Sequence, residues 1–239
     1  MRTRPLVSIL TPTYSRPDML ERAIRVFKAY TYPEREMVVG DDSPVPFGRI
    51  SDPRIKYVRM ERMSLGWKHN LLAGYAQGDV LMLQDDDDLF APARISVQIE
   101  PMVLRGADIT GIAMNFIRRE SDGKFFHFHP QAKFKASNPT TTPIYRLFHD
   151  SNSAYTRKVW QSGVQYTNAM QAQKVHLLND AIRAGFKYEA VPNEGGLFVY
   201  SRHGANTWQF TPRNLLACPE PSFAREAWFG RMLEAECAT

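Results

Sequence analysis

Gly78-Asp79-Val80-Leu81-Met82-Leu83-Gln84-Asp85-Asp86-Asp87-Asp88 sets a run of apolar strand formers directly against four carboxylates. The apolar run is too short for a helix and shows no polar alternation. Residues 79–83 therefore read as a strand buried on both faces. No turn residue separates this strand from the acidic block. Side-by-side carboxylates repel one another and cost stability unless a cation neutralises them. Hard oxygen ligands suit Mg²⁺ or Mn²⁺, ions that also bind diphosphates. The plainer reading is a solvated acidic loop, and the abrupt junction between strand and carboxylates argues against it.

The same arrangement recurs upstream. Leu6 to Leu10 is an apolar run that stops at Thr11-Pro12-Thr13-Tyr14. Glu36 to Gly40 runs into Asp41-Asp42-Ser43-Pro44, and Ile55 to Val58 reads as a third short strand. Between these runs lie helical patterns. Ser15 offers an N-cap and Pro17 a first turn, and Leu20, Ala23, Ile24 and Phe27 form a stripe predicting a helix over 17–30. A second helix is predicted over 67–77, with Gly78 as its stop. Strand, helix, strand, strand, helix, strand predicts an α/β fold with a mainly parallel sheet flanked by helices. Sites in such sheets lie beyond the carboxyl ends of the strands. Three polar clusters fall there: 11–14, 41–42 and 85–88.

The second half is less regular. Residues 107–116 and 197–200 read as strands, 157–161 and 171–184 as helices, and 120–143 as a long loop or hairpin. Three prolines fall in 211–223, before a last amphipathic helix over 223–235. The 239 residues are 44% hydrophobic and carry a formal charge of +5, an ordinary globular composition that favours anionic partners. Cys218 and Cys237 argue against a disulfide framework and fit a reducing, cytoplasmic location. The first twelve residues do not read as a signal peptide, and no apolar run approaches the ~20 residues of a spanning helix. Thr11 to Arg16 contains no glycine. That excludes the dinucleotide-binding and P-loop fingerprints, and the glycine-rich first loop usual in sugar nucleotidyltransferases.

Val7 to Tyr14, Val39 to Ser43 and Gly78 to Asp88, in this order and spacing, resemble family 2 of the GT-A glycosyltransferases. The resemblance is strong over 5–95 and traceable to about residue 208. It implies the Rossmann-like fold of the nucleotide-diphospho-sugar transferases in a single domain, 1–239. Residues 1–110 would be the nucleotide-sugar-binding half and 111–239 the acceptor-binding and catalytic half. The implied activity is inverting transfer from a UDP-sugar to an acceptor hydroxyl with Mn²⁺ or Mg²⁺.

Carried over by position, Thr11, Pro12 and Tyr14 line the nucleoside pocket, and Asp41 or Asp42 accepts from the base N–H. Asp85 to Asp87 spells Asp-x-Asp. Registering Pro92 against the proline that often follows makes Asp87 the metal ligand. Asp86 becomes a ribose contact or second ligand, and Asp85 a nucleotide contact, with the register open by one residue. Lys68, beside His69 and Asn70, either faces the diphosphate or is a solvent-facing helical lysine. Leu177-Leu178-Asn179-Asp180-Ala181 resembles the family's acidic motif at the start of a helix. Asp180 is then the general base, where a lone aspartate would otherwise sit on an exposed face. Arg202 would pair with phosphate and His203 join the metal, or else His203 is a loop histidine bonded to backbone.

The acceptor is open among saccharide, lipid-linked, protein and DNA. Lys124 to Lys135 interleaves aromatics with cations. Such a surface suits a modified DNA base as acceptor, a lid over the sugar, or a hairpin burying its phenylalanines. A nucleotide-sugar-binding module without transfer is the non-enzymatic alternative.

Overall fold

Strand β1 (Val7–Thr13) is buried along its whole length, with Val7 and Ile9 in one core cluster and Leu10 in the other. That alternation is the strand period applied to a sheet covered on both faces. In this computed structural model the residues described are 4–48, 50–113, 116–128, 152–168, 173–204, 206 and 215–233. Helix α1 (Pro17–Ala29) leads to β2 (Arg35–Asp41) and β3 (Ile55–Arg59). Helix α2 (Leu65–Tyr75) follows, then β4 (Val80–Leu83), the two-residue β5 (Leu89–Phe90) and α3 (Arg94–Arg105). Next come β6 (Ile109–Ile112), β7 (Phe116–Arg119), β8 (Phe125–Phe128), β9 (Ala154–Thr156) and α4 (Arg157–Gln161). Helix α5 (Gln173–Arg183), β10 (Tyr188–Val191), β11 (Phe198–Arg202), β12 (Leu215–Ala217) and α6 (Ala227–Leu233) complete the order.

The first sheet has the order β10-β6-β9-β4-β1-β2-β3 and is parallel except for β9, which runs antiparallel to both neighbours. A second sheet is ordered β12-β8-β7-β11-β5. Register brings the polar strand ends together. Val7 pairs with both Arg35 and Val80, so Thr13 lies level with Asp41, and the chain three residues past Leu83 lies level with Thr13. Helices α1 and α3 pack with the second sheet on one face of the first, through Leu20, Phe27, Ile95 and Phe198. Helices α2, α4 and α5 cover the other, through Leu72, Val159, Leu177 and Leu178. Gly78 enters β4 where the backbones crowd: a Cβ there would lie 2.5 Å from Ser8 Oγ and 2.7 Å from the Leu6 carbonyl oxygen.

Several expectations are corrected. Ser15 is not the cap of α1; the N-cap is Arg16. Helix α2 begins two residues earlier than expected, because Ser64 accepts from the Trp67 N–H and caps it. The strand expected over 107–116 is shorter: β6 ends at Ile112 in the first sheet, and Phe116 already begins β7 in the second. Each sheet draws on strands from before and after residue 110. Strands β6, β9 and β10 complete the first sheet from the second half, while β5 crosses into the second. No helix among the described residues is long and apolar enough to cross a membrane.

Candidate active site

The aspartate block bridges the two sheets. Strand β4 ends the first at Leu83 and β5 begins in the second at Leu89. Buried groups hold the crossing from below. Gln84 accepts from the Tyr30 hydroxyl at 2.7 Å and donates to the Ala23 carbonyl at 3.1 Å. The fully buried Arg94 donates to the Leu83 carbonyl at 2.6 Å and lies 3.8 Å over the Phe90 ring. Strand β11 returns antiparallel to β5, with Val199 opposite Leu89. That register delivers the Ser201 N–H to Asp88 at 3.1 Å and His203 Nε2 to within 3.1 Å of Asp87 Oδ2. One oxygen each of Asp85, Asp87 and Asp88 lie within 4.8 Å of one another. Three carboxylates with an imidazole alongside form a donor set that fits a hard divalent cation.

Asp86 turns the other way. It accepts from the Thr13 hydroxyl at 2.7 Å and faces Arg16 Nη2 at 3.1 Å, while its Oδ1 is buried without a formed hydrogen bond. Burial, reinforced by the Asp87 charge, pushes its carboxyl up to about 7 against the pull of Arg16 and Thr13. Burial also pushes Asp87 up. The hydrogen bond to His203 and the Arg16 charge outweigh this and hold it below the usual carboxylate range.

The nucleoside side is built at the ends of β1, β2 and β3. Asp41 accepts from the Ser43 N–H at 2.8 Å, the Ser43 hydroxyl, the Tyr57 hydroxyl at 2.5 Å and Arg59 at 2.9 Å. Burial raises its pKa and these bonds more than reverse the rise. Asp42 accepts from Lys68 at 2.5 Å, Arg62 at 2.9 Å and the Met63 N–H at 3.3 Å. Arg62 also lies 3.7 Å over the ring of Tyr14, which is 37% exposed.

The sequence profile of Glycosyl transferase family 2 matches residues 8–163, from β1 through α4. The chain belongs to this family. Over 105 residues it is 32% identical to WcaA of Escherichia coli K12, whose name assigns it to colanic acid biosynthesis as a glycosyl transferase; 41% of this chain and 38% of that protein are covered. Over 99 residues it is 31% identical to GalNAc(5)-diNAcBac-PP-undecaprenol beta-1,3-glucosyltransferase of Campylobacter jejuni, covering 37% of this chain and 32% of the relative. The chain thus spans about a third of the length of these two relatives. In fold it is similar to the mannosyltransferase PcManGT of Pyrobaculum calidifontis, solved with GDP-Man and Mn²⁺. The TM-score is 0.62 at 16% identity, over 84% of this chain and 58% of that one. Residues 1–349 of S. aureus TarS with UDP-GlcNAc give 0.60 at 14%, over 86% and 62%. The α/β architecture with a mainly parallel sheet is therefore the GT-A fold.

Within this family member, the expected residues fall into two groups. Asp85, Asp87 and His203 come together, and Asp88, not singled out in the sequence, joins them. Pro12 is buried at the end of β1, and Arg202 ends β11 level with Arg119. Thr11 is sealed at 0% exposure with no partner for its hydroxyl; Thr13, two residues on along the same face, reaches Asp86. Lys68 is neither solvent-facing nor turned to the cluster. Its ammonium is buried against Asp42 and the Thr13 carbonyl, and that burial lowers its pKa.

Asp180 is displaced from its expected place. It lies in the last turn of α5, half exposed and paired with Arg183 at 3.0 Å. That turn leads through Gly185 to the start of β10, which runs parallel to β6, so it adjoins the amino ends of the strands. The first turn of α5 carries no acidic residue. Of the aromatic stretch, Phe125 is buried in the core and Phe126 lies 4.9 Å beneath Arg119, as in a packed hairpin. Residues 129–135 lie outside the described residues. Arg16, Arg59 and Arg62 were missed by sequence reasoning. The rule that flagged strand ends applies equally to Arg59 and Arg62, at and just beyond the carboxyl end of β3.

Proposed function

We propose that this chain transfers a sugar from a nucleoside diphosphate donor, a UDP-sugar, to an acceptor hydroxyl. The observation that carries the reading is the meeting of Asp85, Asp87, Asp88 and His203 at the same sheet edge as the Asp42–Lys68 pair. Support comes from the neighbours solved with GDP-Man and Mn²⁺ and with UDP-GlcNAc. Asp85, Asp87, Asp88 and His203 are the residues that would hold Mn²⁺ or Mg²⁺. Bound there, the ion supplies Lewis-acid stabilisation of charge on the departing diphosphate.

The remaining roles belong to the chain. Tyr14, capped by Arg62, offers a face on which a base stacks. An ionised carboxylate has about four acceptor positions. Asp41 uses four and Asp42 three, so Asp42 is the one with a position left for a base N–H. The family resemblance implies inversion, with a carboxylate removing the acceptor proton. The exposed Asp180, at the far end of the sheet, is not assigned that step.

The test is UDP binding by calorimetry with and without Mn²⁺, followed by UDP release from UDP-sugars over saccharide, lipid-linked and hydroxymethylated-DNA acceptors. Mn²⁺-dependent binding with turnover is expected. Binding without turnover on every donor and acceptor would establish the non-catalytic module instead, and no Mn²⁺ dependence at all would remove the proposed site.

A further inference from the structure

Arg16 stands where a cation ligand would. Its Nη1 lies 2.9 Å from Asp87 Oδ2, the same oxygen that His203 Nε2 approaches at 3.1 Å. Its Nη2 lies 3.1 Å from Asp86 Oδ1, yet that oxygen has no formed hydrogen bond. The guanidinium thus meets two buried aspartates, Asp87 through one aligned bond and Asp86 through one misaligned contact. Its side chain is 30% exposed, whereas Lys68, paired with Asp42 at the same sheet edge, is 3% exposed and bonded at two points. A partly exposed cation with one good bond is replaceable in a way that a sealed one is not.

The backbone beside it adds an independent observation. Ser15 is the one non-glycine residue with positive φ among the described residues, at 51°. Non-glycine residues enter this region when surrounding structure forces them there. The Ser15 N–H is tied to Ser43 Oγ at 2.7 Å, and the Ser43 hydroxyl donates to Asp41. The turn that aims Arg16 at the aspartates is thereby anchored in the nucleoside cluster.

We propose that Arg16 is a displaceable counter-cation, paired with Asp87 and facing Asp86 in the metal-free protein, and yielding Asp87 when a divalent ion binds. This rests on the reading that the cluster takes such an ion. Since Arg16 and a bound ion would both draw on the Asp87 carboxylate, removing Arg16 should strengthen the hold on the ion.

The experiment is Mn²⁺ titration of wild type, Arg16→Gln and Arg16→Lys without nucleotide, read by calorimetry and by the loss of free-Mn²⁺ EPR signal. Arg16→Gln is expected to bind Mn²⁺ about tenfold more tightly than wild type, a change of roughly 1.4 kcal/mol, with Arg16→Lys between them. Metal-free Arg16→Gln should melt below wild type and gain more in Tm from Mn²⁺. Mn²⁺ affinity in Arg16→Gln equal to or weaker than wild type overturns the role of Arg16 and leaves the cation site standing. So does loss of UDP affinity with metal affinity unchanged, which would make Arg16 a phosphate ligand instead. If neither protein binds Mn²⁺, with or without UDP, the cation site and this inference fall together. Should Arg16→Gln not fold, Arg16→Lys decides, and wild-type Mn²⁺ affinity in it overturns the proposal.

Discussion

At the carboxyl ends of β1, β2 and β4, Asp41, Asp42, Asp86 and Asp87 are between 1% and 9% exposed, and each is paired with a cation. At the amino ends the chain carries charge pairs too: Lys158 with Asp108, Arg105 with Glu189, Arg183 with Asp180. There the cationic side chains are more than half exposed. The residue types are the same and the solvent differs: Glu189 and Asp180 are 36% and 50% exposed, and of these three acids only Asp108, at 9%, is as sheltered as the carboxylates of the other end. Exposed pairs are worth about 0–1 kcal/mol, whereas breaking a buried pair costs about 3–5 kcal/mol because a charge is left stranded. Burial therefore marks which end of the sheet was built for charge, and it does so more sharply than counting acids along the sequence.

The largest test of that contrast is Lys68→Met. It leaves the buried Asp42 with Arg62 as its remaining cation, and it should lower unfolding free energy by about 3 kcal/mol in urea melts. Adding Asp42→Asn should recover part of the loss. A change under about 1 kcal/mol would erase the distinction between the two ends.

Next in size is Asp87→Asn, which removes the carboxylate shared by His203 and Arg16. Mn²⁺-dependent UDP binding should weaken about 100-fold, near 2.7 kcal/mol, while metal-independent binding changes little. A separate test comes from pH. The metal-free native state holds a proton on Asp86 up to about 7, whereas the unfolded chain releases it near the ordinary aspartate value of 3.8. Between these values the native state binds more protons, so stability contributed by this group is present in acid and declines as pH rises from about 4 to 7. Asp86→Asn should flatten that decline in Tm measured across the same window. The smallest effects belong to the far end: Asp180→Asn and Arg183→Ala should each shift stability by less than about 0.5 kcal/mol. Transfer activity of Asp180→Asn should stay near that of wild type. Its collapse, with UDP binding intact, would restore Asp180 as the base.

Strands β1, β2 and β4 were legible because each is an apolar run that ends abruptly in polar residues. Helix α3 was not. Ile95, Ile99 and Met102 stand at helical spacing, but Arg94 and Gln98 share the buried face and Pro101 lies inside the helix, which masks the stripe. Strand β9 is three residues long and offers no period at all. Strand β6 read too long because apolar Ala113 and Met114 follow it, and the change of sheet before β7 leaves no mark in side-chain chemistry. Within the site, the Asp block announced itself, but four identical letters carry no register. The placement of β5 against β11 separates Asp86 from Asp85, Asp87 and Asp88. Asp180 matched in letters and failed in position, since the motif required the first turn of a helix and α5 supplies its last. Arg16 was invisible for a different reason: its partners lie about seventy residues away.

The span from Gln84 to Asp88 is moored at both banks, by β4 in one sheet and by β5 in the other. Its length cannot drift. One residue added or lost would have to be absorbed by slipping a strand past its neighbours or by rotating the carboxylates out of company with His203. In kindred chains, loops elsewhere are free to lengthen and shrink, while this short causeway should keep its count.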